Sequence, residues 1–388
     1  MDHQLLSAFF WIFSGAAALA TAALFTRQPL IVAYLALGAL LGPYGFGWVT
    51  DGAQLRAIGE IGIIFLLFLL GLEMQPRKLL TVLRESLWVG LLSSTLFLAL
   101  GTGLALAFAF SLQDALLMGL AVSFSSTIIG IKLLPTTALH HRHIGELVVS
   151  LLLLQDCLAI LALVGLAHFT PGVGATKPLW VTVLALPALL AVAAAGVRFI
   201  LLPLISRFDV IQEYVFLLAV GWCLGLAQLA EALGLSLELG AFAAGVTLAT
   251  SPIALFLAEA LRPLRDFFLV LFFFTVGAGL NLALVPSILL PALALSALVL
   301  LAKPIIYRVL LNQFKEQGSL AWEVGFRLGQ ISEFSLLLVL LAGQASLLSE
   351  GAITTIQAVA VLTFILSSYV VVLRYPTPIA LDERLRRR

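Results

Sequence analysis

The sequence predicts an all-α polytopic membrane protein of about thirteen transmembrane helices. Three observations carry that prediction. Of 388 residues, 62% are hydrophobic and 11% charged, and the mean hydropathy of +1.14 lies far outside the range of a water-soluble domain. Apolar runs of about 20 residues, the length that crosses a bilayer, recur along the chain. The basic residues also sort by loop parity, as membrane orientation demands. A net charge of +1 without a basic stripe argues against a nucleic-acid partner. The two cysteines, Cys157 and Cys223, lie in apolar runs and suggest neither a disulfide framework nor a metal site.

The first run follows Met-Asp-His-Gln with neither a basic leader nor a small-residue cleavage site, so it reads as a retained helix. Spans one to three cover Leu5 to Phe25, Pro29 to Trp48 and Ile58 to Leu72, the second closing on the turn Gly42-Pro43-Tyr44-Gly45. Spans four to six run from Leu87 to Phe110, Ala115 to Leu134 and Gly145 to Ala167, and spans seven to nine from Leu179 to Ile205, Tyr214 to Ala232 and Leu237 to Ala249. The last four are Phe267 to Leu284, Ser287 to Leu311, Leu320 to Ala342 and Ile353 to Val372.

Loop parity tests this count. One side collects Arg27, Arg77, Lys78, Arg84, Lys132, Arg142, Arg198, Arg207, Arg262, Arg265, Arg308 and Lys315, together with Arg374, Arg384, Arg386, Arg387 and Arg388 of the tail. The other side has only Arg56 and Lys177. The positive-inside rule then places the N-terminus outside and the C-terminus in the cytoplasm. An error of one span would scramble the division. Lys303 and Arg327 fall inside spans.

Span six carries Gln155-Asp156 in its middle. Asp156 lies about eleven residues from either end, roughly 16 Å at the helical rise, too deep for a short side chain to reach the interface. An ionisable group there costs from about 2.5 to above 10 kcal/mol, which marks a candidate ion or proton pathway. Three other spans depart from plain apolar helix. Span five contains Ser123-Phe124-Ser125-Ser126-Thr127, span eleven Lys303-Pro304, and span twelve Arg327 followed by Gly329-Gln330-Ile331-Ser332-Glu333-Phe334-Ser335. Each also has a bland reading. The hydroxyls of Ser125, Ser126 and Thr127 could bond carbonyls one turn back, Lys303 could snorkel toward the cytoplasmic boundary, and Glu333 could pair privately with Arg327.

Spans five and twelve are an odd number apart, so the two interrupted helices run in opposite directions, as do the triplets four to six and eleven to thirteen. Interrupted segments at matching positions of opposed triplets are the sequence signature of an inverted-repeat secondary transporter with a midplane site. Opposed broken helices present both dipole ends to the centre, where Lys303 and Glu333 are available as compensating charges.

These residues carry a resemblance. Gly42-Pro43, Phe68-Leu69-Leu70-Gly71-Leu72-Glu73, Ser125-Ser126-Thr127, Gln155-Asp156, Gly240-Ala241-Phe242-Ala243-Ala244-Gly245, Phe272-Phe273-Phe274-Thr275-Val276-Gly277 with Gly279-Leu280-Asn281, Lys303-Pro304 and Gly329-Gln330 with Glu333-Phe334 occur in order over nearly the whole chain. Together they resemble the membrane domain of the Kef-type monovalent cation:proton antiporters. The resemblance implies an inverted-repeat antiporter fold with crossed broken helices and elevator-like alternating access. It further implies a single membrane domain over 1–388, with a dimerisation part (about 1–72 and 211–284), a core (about 84–168 and 287–373) and a linker helix (about 179–205). Asp156 would bind cation and proton alternately, with Gln155, Ser126 and Thr127 as the other ion-binding residues. Lys303 would be its intramembrane partner, Glu333 and Arg327 further charge compensation, and Ser125, Gly329, Gln330 and Ser332 the helix-break residues. Gln155 stands where electrogenic sodium/proton antiporters have a second Asp, which leans toward K+ and one-for-one exchange.

No resident cofactor is expected, the transported K+ or Na+ and H+ being substrates. The expected partners are a second copy of the chain, the bilayer and a separate regulatory subunit, in a bacterial inner membrane. No nucleotide-binding regulatory domain is expected after span thirteen, and Ile253-Ala254-Leu255-Phe256-Leu257-Ala258-Glu259 lacks the His of the family's regulatory loop, so glutathione gating is not expected. The alternative in another class is a cation channel or gated K+ leak in which Asp156 only sets selectivity. A membrane enzyme lacks loops that gather acid, base or nucleophile, and an anion symporter would not explain a deep Asp. His140-His141-Arg142-His143 reads as a pH sensor or a plain solvated loop, and the Arg-rich tail as a topology determinant able to touch anionic lipid.

Overall fold

The computed structural model describes the chain apart from residues 1–2, 27, 50–51, 74–75, 136–142, 168–178, 209–210, 252, 315 and 378–388. His140, His141, Arg142, His168, Lys177 and the terminal arginines therefore lie outside the described residues. Among the described residues there is no β-strand. In chain order the helices are α1 (His3–Phe25), α2 (Leu30–Leu41), α3 (Gly52–Glu73), α4 (Pro76–Ala107), α5 (Leu112–Ser123), α6 (Thr127–Lys132) and α7 (His143–Ala167). There follow α8 (Leu179–Gly196), α9 (Leu202–Phe208), α10 (Gln212–Ala232), α11 (Leu237–Ala249), α12 (Ala254–Ala260) and α13 (Arg262–Ala278). The last are α14 (Val285–Gln313), α15 (Gly318–Arg327), α16 (Glu333–Gln344) and α17 (Glu350–Arg374).

Every one of the thirteen predicted spans has a helical counterpart. Among the described residues, eight segments are long and apolar enough to cross a bilayer, and shorter apolar helices cover Leu30–Leu41, Gly59–Leu72, Leu237–Ala249 and Glu333–Gln344. The interruptions have local causes. Span five divides into α5 and α6, and span twelve into α15 and α16. In span seven a π-helical turn, Val197–Leu201, joins α8 to α9; Pro203 cannot donate to the carbonyl of Phe199, and the ladder widens there. Span two stops as helix at Leu41, ahead of the Gly-Pro turn. The short α12 was not anticipated, being only seven residues long.

The chain divides into two compact units. One comprises Gly52–Leu80 and Leu163–Phe272, the other Met1–Asp51, Thr81–Ala162 and Phe273–Arg388. In the first, α3 packs along α11, which also contacts α8 and α10. The α3–α11 contact is backbone on backbone. A Cβ added to Gly245 would lie 2.0 Å from the Phe68 carbonyl oxygen, and one added to Gly71 would lie 2.6 Å from the Phe242 carbonyl oxygen. Small residues at such crossings let membrane helices gain dispersion contact where no hydrophobic drive separates helix from lipid.

In the second unit α17 is the central element, packing against α2, α5, α14, α15 and α16. It buries a polar row that includes Thr354, Thr355, Thr363, Ser367 and Ser368. The start of α5 is tied to the α16–α17 connection: the Asp114 carboxylate in the first turn of α5 accepts from the Ser349 amide at 2.8 Å, and Gln113 Nε2 donates to the Leu347 carbonyl at 3.0 Å. A buried apolar cluster containing Phe97, Val148, Leu151, Tyr307, Val324 and Leu328 seals one side of the two breaks.

Gly245→Val is expected to lower the melting temperature of the purified protein, since overpacking a tight contact costs about 1–3 kcal/mol. An unchanged melting curve in detergent would show that α3 and α11 do not need this approach.

Candidate ion-binding site

Both breaks are built by serine. After α5 ends, Phe124 is extended (φ −86°, ψ 151°), and Ser126 caps α6 by accepting from the Ile129 amide at 3.1 Å. After α15 ends, Ser332 caps α16 by accepting from the Phe334 amide at 3.0 Å, while the Ser332 amide donates to Ser335 Oγ at 3.2 Å. Serine replaces the backbone partner that a continuous helix would have supplied. Gln330 stitches the breaks together. Its Nε2 donates to the Arg327 carbonyl at 3.0 Å and the Ser126 carbonyl at 3.4 Å, and its Oε1 accepts from Ser367 on α17 at 2.7 Å.

Four helix ends thus meet among buried side chains. Lys303, 1% exposed, serves the two carbonyl ends. Its ammonium donates to the Phe124 carbonyl at 2.7 Å, the Gln330 carbonyl at 2.9 Å and Ser125 Oγ at 3.1 Å, and lies 5.4 Å from the Phe97 ring centroid. Ser125 Oγ in turn donates to the Leu328 carbonyl at 2.9 Å. Three donors on three oxygens satisfy the charge that burial would otherwise penalise. The reading of Lys303 as a snorkelling side chain is corrected by this geometry. Sequence reasoning expected Lys303 beside Asp156; its donors are directed to the two breaks, and a through-space pairing with Asp156 belongs to the proposal below.

Glu333 serves the amide ends. It lies in the first turn of α16, and its Oε1 accepts from the Ile128 amide in the first turn of α6 at 3.3 Å. Arg327 has a different partner from the one considered: it pairs with Glu323, not Glu333. Nε and Nη2 reach Glu323 Oε1 at 3.0 and 2.7 Å, Nη1 donates to the Leu133 carbonyl at 2.8 Å and Nη2 to the Pro376 carbonyl at 2.8 Å. The reason is helix geometry. Residues four apart on unbroken α15 share a face, whereas Glu333 begins a separate helix across the break. Arg327 thereby holds the carbonyl end of α6.

Between these charges stand Gln155 and Asp156 on α7. The Gln155 side chain is fully engaged: Oε1 accepts from the Ser125 amide at 2.9 Å, and Nε2 donates to Tyr307 Oη at 2.7 Å and to the Ser123 carbonyl at 3.5 Å. Asp156 is 2% exposed. Thr127 Oγ1 lies 2.9 and 3.1 Å from its two carboxylate oxygens. A carboxylate and a hydroxyl side by side at a helix interruption are hard oxygen donors of the kind that suits a hard cation.

The structure therefore brings together Asp156, Gln155, Ser125, Ser126, Thr127, Lys303, Gln330 and Glu333. Ser332 and Gly329 shape the second break, and Arg327 closes its far side. Sequence reasoning did not single out Tyr307, Glu323 or Ser367. The spacing of Glu323 and Arg327 was the one available signal. Gly325 escaped notice too; a Cβ there would lie 2.6 Å from Pro304 Cα, so α15 approaches α14 beside Lys303 only because it lacks one.

Lys303→Met would leave the buried carbonyls of Phe124 and Gln330 without that donor, each at a cost of about 1–3 kcal/mol. Its melting temperature is expected to fall by several degrees, well beyond that of Ser296→Ala, whose buried hydroxyl makes no hydrogen bond. Equal shifts in thermal unfolding of the two variants would contradict a structural role for the ammonium.

Comparison with known proteins places this geometry. Residues 9–373 match the family model described as "Sodium/hydrogen exchanger, transmembrane". K(+) efflux antiporter 4 of Arabidopsis thaliana is 33% identical over 83% of this chain and 56% of its own length, and K(+) efflux antiporter 6 is 31% identical over 84% and 55%. The chain thus spans a little over half of these two relatives. A protein named iron transporter MagA, from Paramagnetospirillum magneticum, is 29% identical over 88% of this chain and 79% of its own. The solved structure of the sodium proton antiporter MjNhaP1 from Methanocaldococcus jannaschii superposes with a TM-score of 0.67 at 18% identity, covering 94% of this chain and 96% of that one. That likeness shows the fold. The chain is a multi-pass membrane protein and belongs to the sodium/hydrogen exchanger transmembrane family, in keeping with its Kef-type resemblance.

Proposed function

We propose that the chain is the membrane part of a secondary active antiporter that exchanges a monovalent cation, K+ in preference to Na+, for H+. The observation that carries this reading is the buried Asp156 carboxylate against Thr127 Oγ1 at the break of span five. A cation and a proton compete for that carboxylate. Occupied by either, the site crosses as a neutral pair; empty, it carries a bare charge whose desolvation opposes crossing. That difference couples the two fluxes.

Thr127 supplies a second oxygen to the cation, and Ser126 and Gln155 fix the backbone around it. Lys303 sets the field at Asp156 through space while it holds the breaks. The preference for K+ draws support from Gln155 at the position of a second Asp and from the names of the two Arabidopsis relatives, whereas the name MagA carries points to iron. Selectivity is therefore read over a series of ions. The core of about 84–168 and 287–373 moves in an elevator-like manner relative to a dimerisation part of about 1–72 and 211–284, with a linker of about 179–205. Two copies assemble in a bacterial inner membrane with the N-terminus outside, joined by a separate regulatory subunit.

In proteoliposomes, Asp156→Asn is expected to abolish cation-driven proton flux while its melting curve stays close to wild type. Surviving flux would overturn the assignment, and flux that follows membrane potential without proton counter-movement would favour a channel. Thr127→Val, which removes one ligand, should raise the KM for the cation severalfold, with Thr127→Ser close to wild type. A changed kcat at unchanged KM would take Thr127 out of the binding site.

A further inference from the structure

We propose that Arg308 and Arg374 form a binding site for the phosphate of an anionic phospholipid at the membrane interface. The site is built on aromatic rings that the ion pathway does not use. Trp322 and Phe326, four residues apart on α15, stack with ring centroids 5.5 Å apart and 23° between planes. The Arg308 guanidinium, from α14, lies 4.7 Å from the Trp322 centroid, and the Arg374 guanidinium, from the end of α17, lies 5.6 Å from that of Phe326. Three elements thus bring two exposed guanidinium groups onto one aromatic platform.

Their charge is not spent inside the protein. Among the described residues, neither arginine has a carboxylate within ion-pair distance. The acid next to Trp322 in sequence, Glu323, is taken by Arg327, and Glu316 by His143. Cation–π contact occupies a face of the guanidinium and leaves its in-plane N–H donors for a ligand, whose planar fork suits phosphate oxygens.

The surroundings favour a lipid over a free anion. Arg308 ends a ridge of exposed apolar side chains on α14, Leu301 (65% exposed), Ile305 (51%) and Val309 (52%), and Arg374 ends a second on α17 through Leu366 (45%) and Leu373 (60%). The two helices pack against each other. Acyl chains would lie along these ridges, and the phosphate would meet the guanidinium groups at the depth where Trp is enriched in membrane proteins. With two cations that no described carboxylate pairs, a zwitterionic headgroup would bring a further positive charge to the site. An anionic one brings none.

The test is native mass spectrometry of the purified full chain, in detergent with equal concentrations of phosphatidylglycerol and phosphatidylcholine. Wild-type protein is expected to retain phosphatidylglycerol in preference, and Arg308→Gln/Arg374→Gln to retain it about thirtyfold less, the scale of two basic side chains at an anionic surface. Arg198→Gln/Arg262→Gln, with the same charge change in the other unit, should behave as wild type. Trp322→Leu keeps both arginines and should also weaken retention; melting curves identify any variant that has lost its fold. Equal loss in the Arg198/Arg262 control, undiminished retention in the Arg308/Arg374 variant, or equal uptake of phosphatidylcholine would overturn the proposal. So would displacement of the lipid by millimolar inorganic phosphate, which would make this a soluble-anion site, or by a polyglutamate peptide, which would make it a protein contact.

Discussion

The ammonium of Lys303 is the constraint on which the rest of the candidate site depends. Breaking two helices in a membrane exposes carbonyl ends that lipid cannot solvate, and each carries partial negative charge. Two such ends converge here, at Phe124 and Gln330, and one buried cation donates to both. The amide ends converge on the opposite sign, at Glu333. Arg327, paired with Glu323, finishes the carbonyl end of α6 remote from the break. Opposite charges at opposite dipole ends allow the interruption to persist, and the interruption brings Thr127 to Asp156.

Gln155 takes a part that differs from its neighbour's. Amide oxygen and nitrogen are both committed, to the Ser125 backbone and to Tyr307, so the residue acts as a splint between α7, the first break and α14. A side chain without a titrating proton holds the position and adds no second charge beside Asp156. Asp156, one residue on, faces the hydroxyl of Thr127. Adjacent positions on one helix thus take different partners, one tied to the frame of the break and the other to the hydroxyl beside it.

Much of this was legible in the sequence, for physical reasons. A lone carboxylate in an apolar run is too costly to be casual, so Asp156 stood out. Ser-rich interruptions gave both breaks, and apolar runs gave about thirteen spans, each with a helical counterpart. What stayed hidden depended on three-dimensional neighbours. Arg327 had two acids within reach in sequence, Glu323 and Glu333, and only the end of α15 at residue 327 decides between them. Tyr307 lies only four residues before the end of predicted span eleven, yet it is fully buried and receives the Gln155 amide. Ser367 looks like any membrane-helix hydroxyl until Gln330 reaches it. Lys303 was recognised as a charge without its geometry, because a long flexible side chain does not announce which oxygens it serves.

One titrating carboxylate serving both ions predicts one-for-one exchange. The most direct measurement is the ion ratio at which net proton flux stops in proteoliposomes, taken with K+, Na+ and Li+ in turn and with the membrane potential clamped at different values. The account predicts a null point where cation and proton gradients balance equally, unmoved by the potential. A null point that shifts with potential would mean that net charge crosses in each cycle, and that Asp156 does not carry the exchange alone.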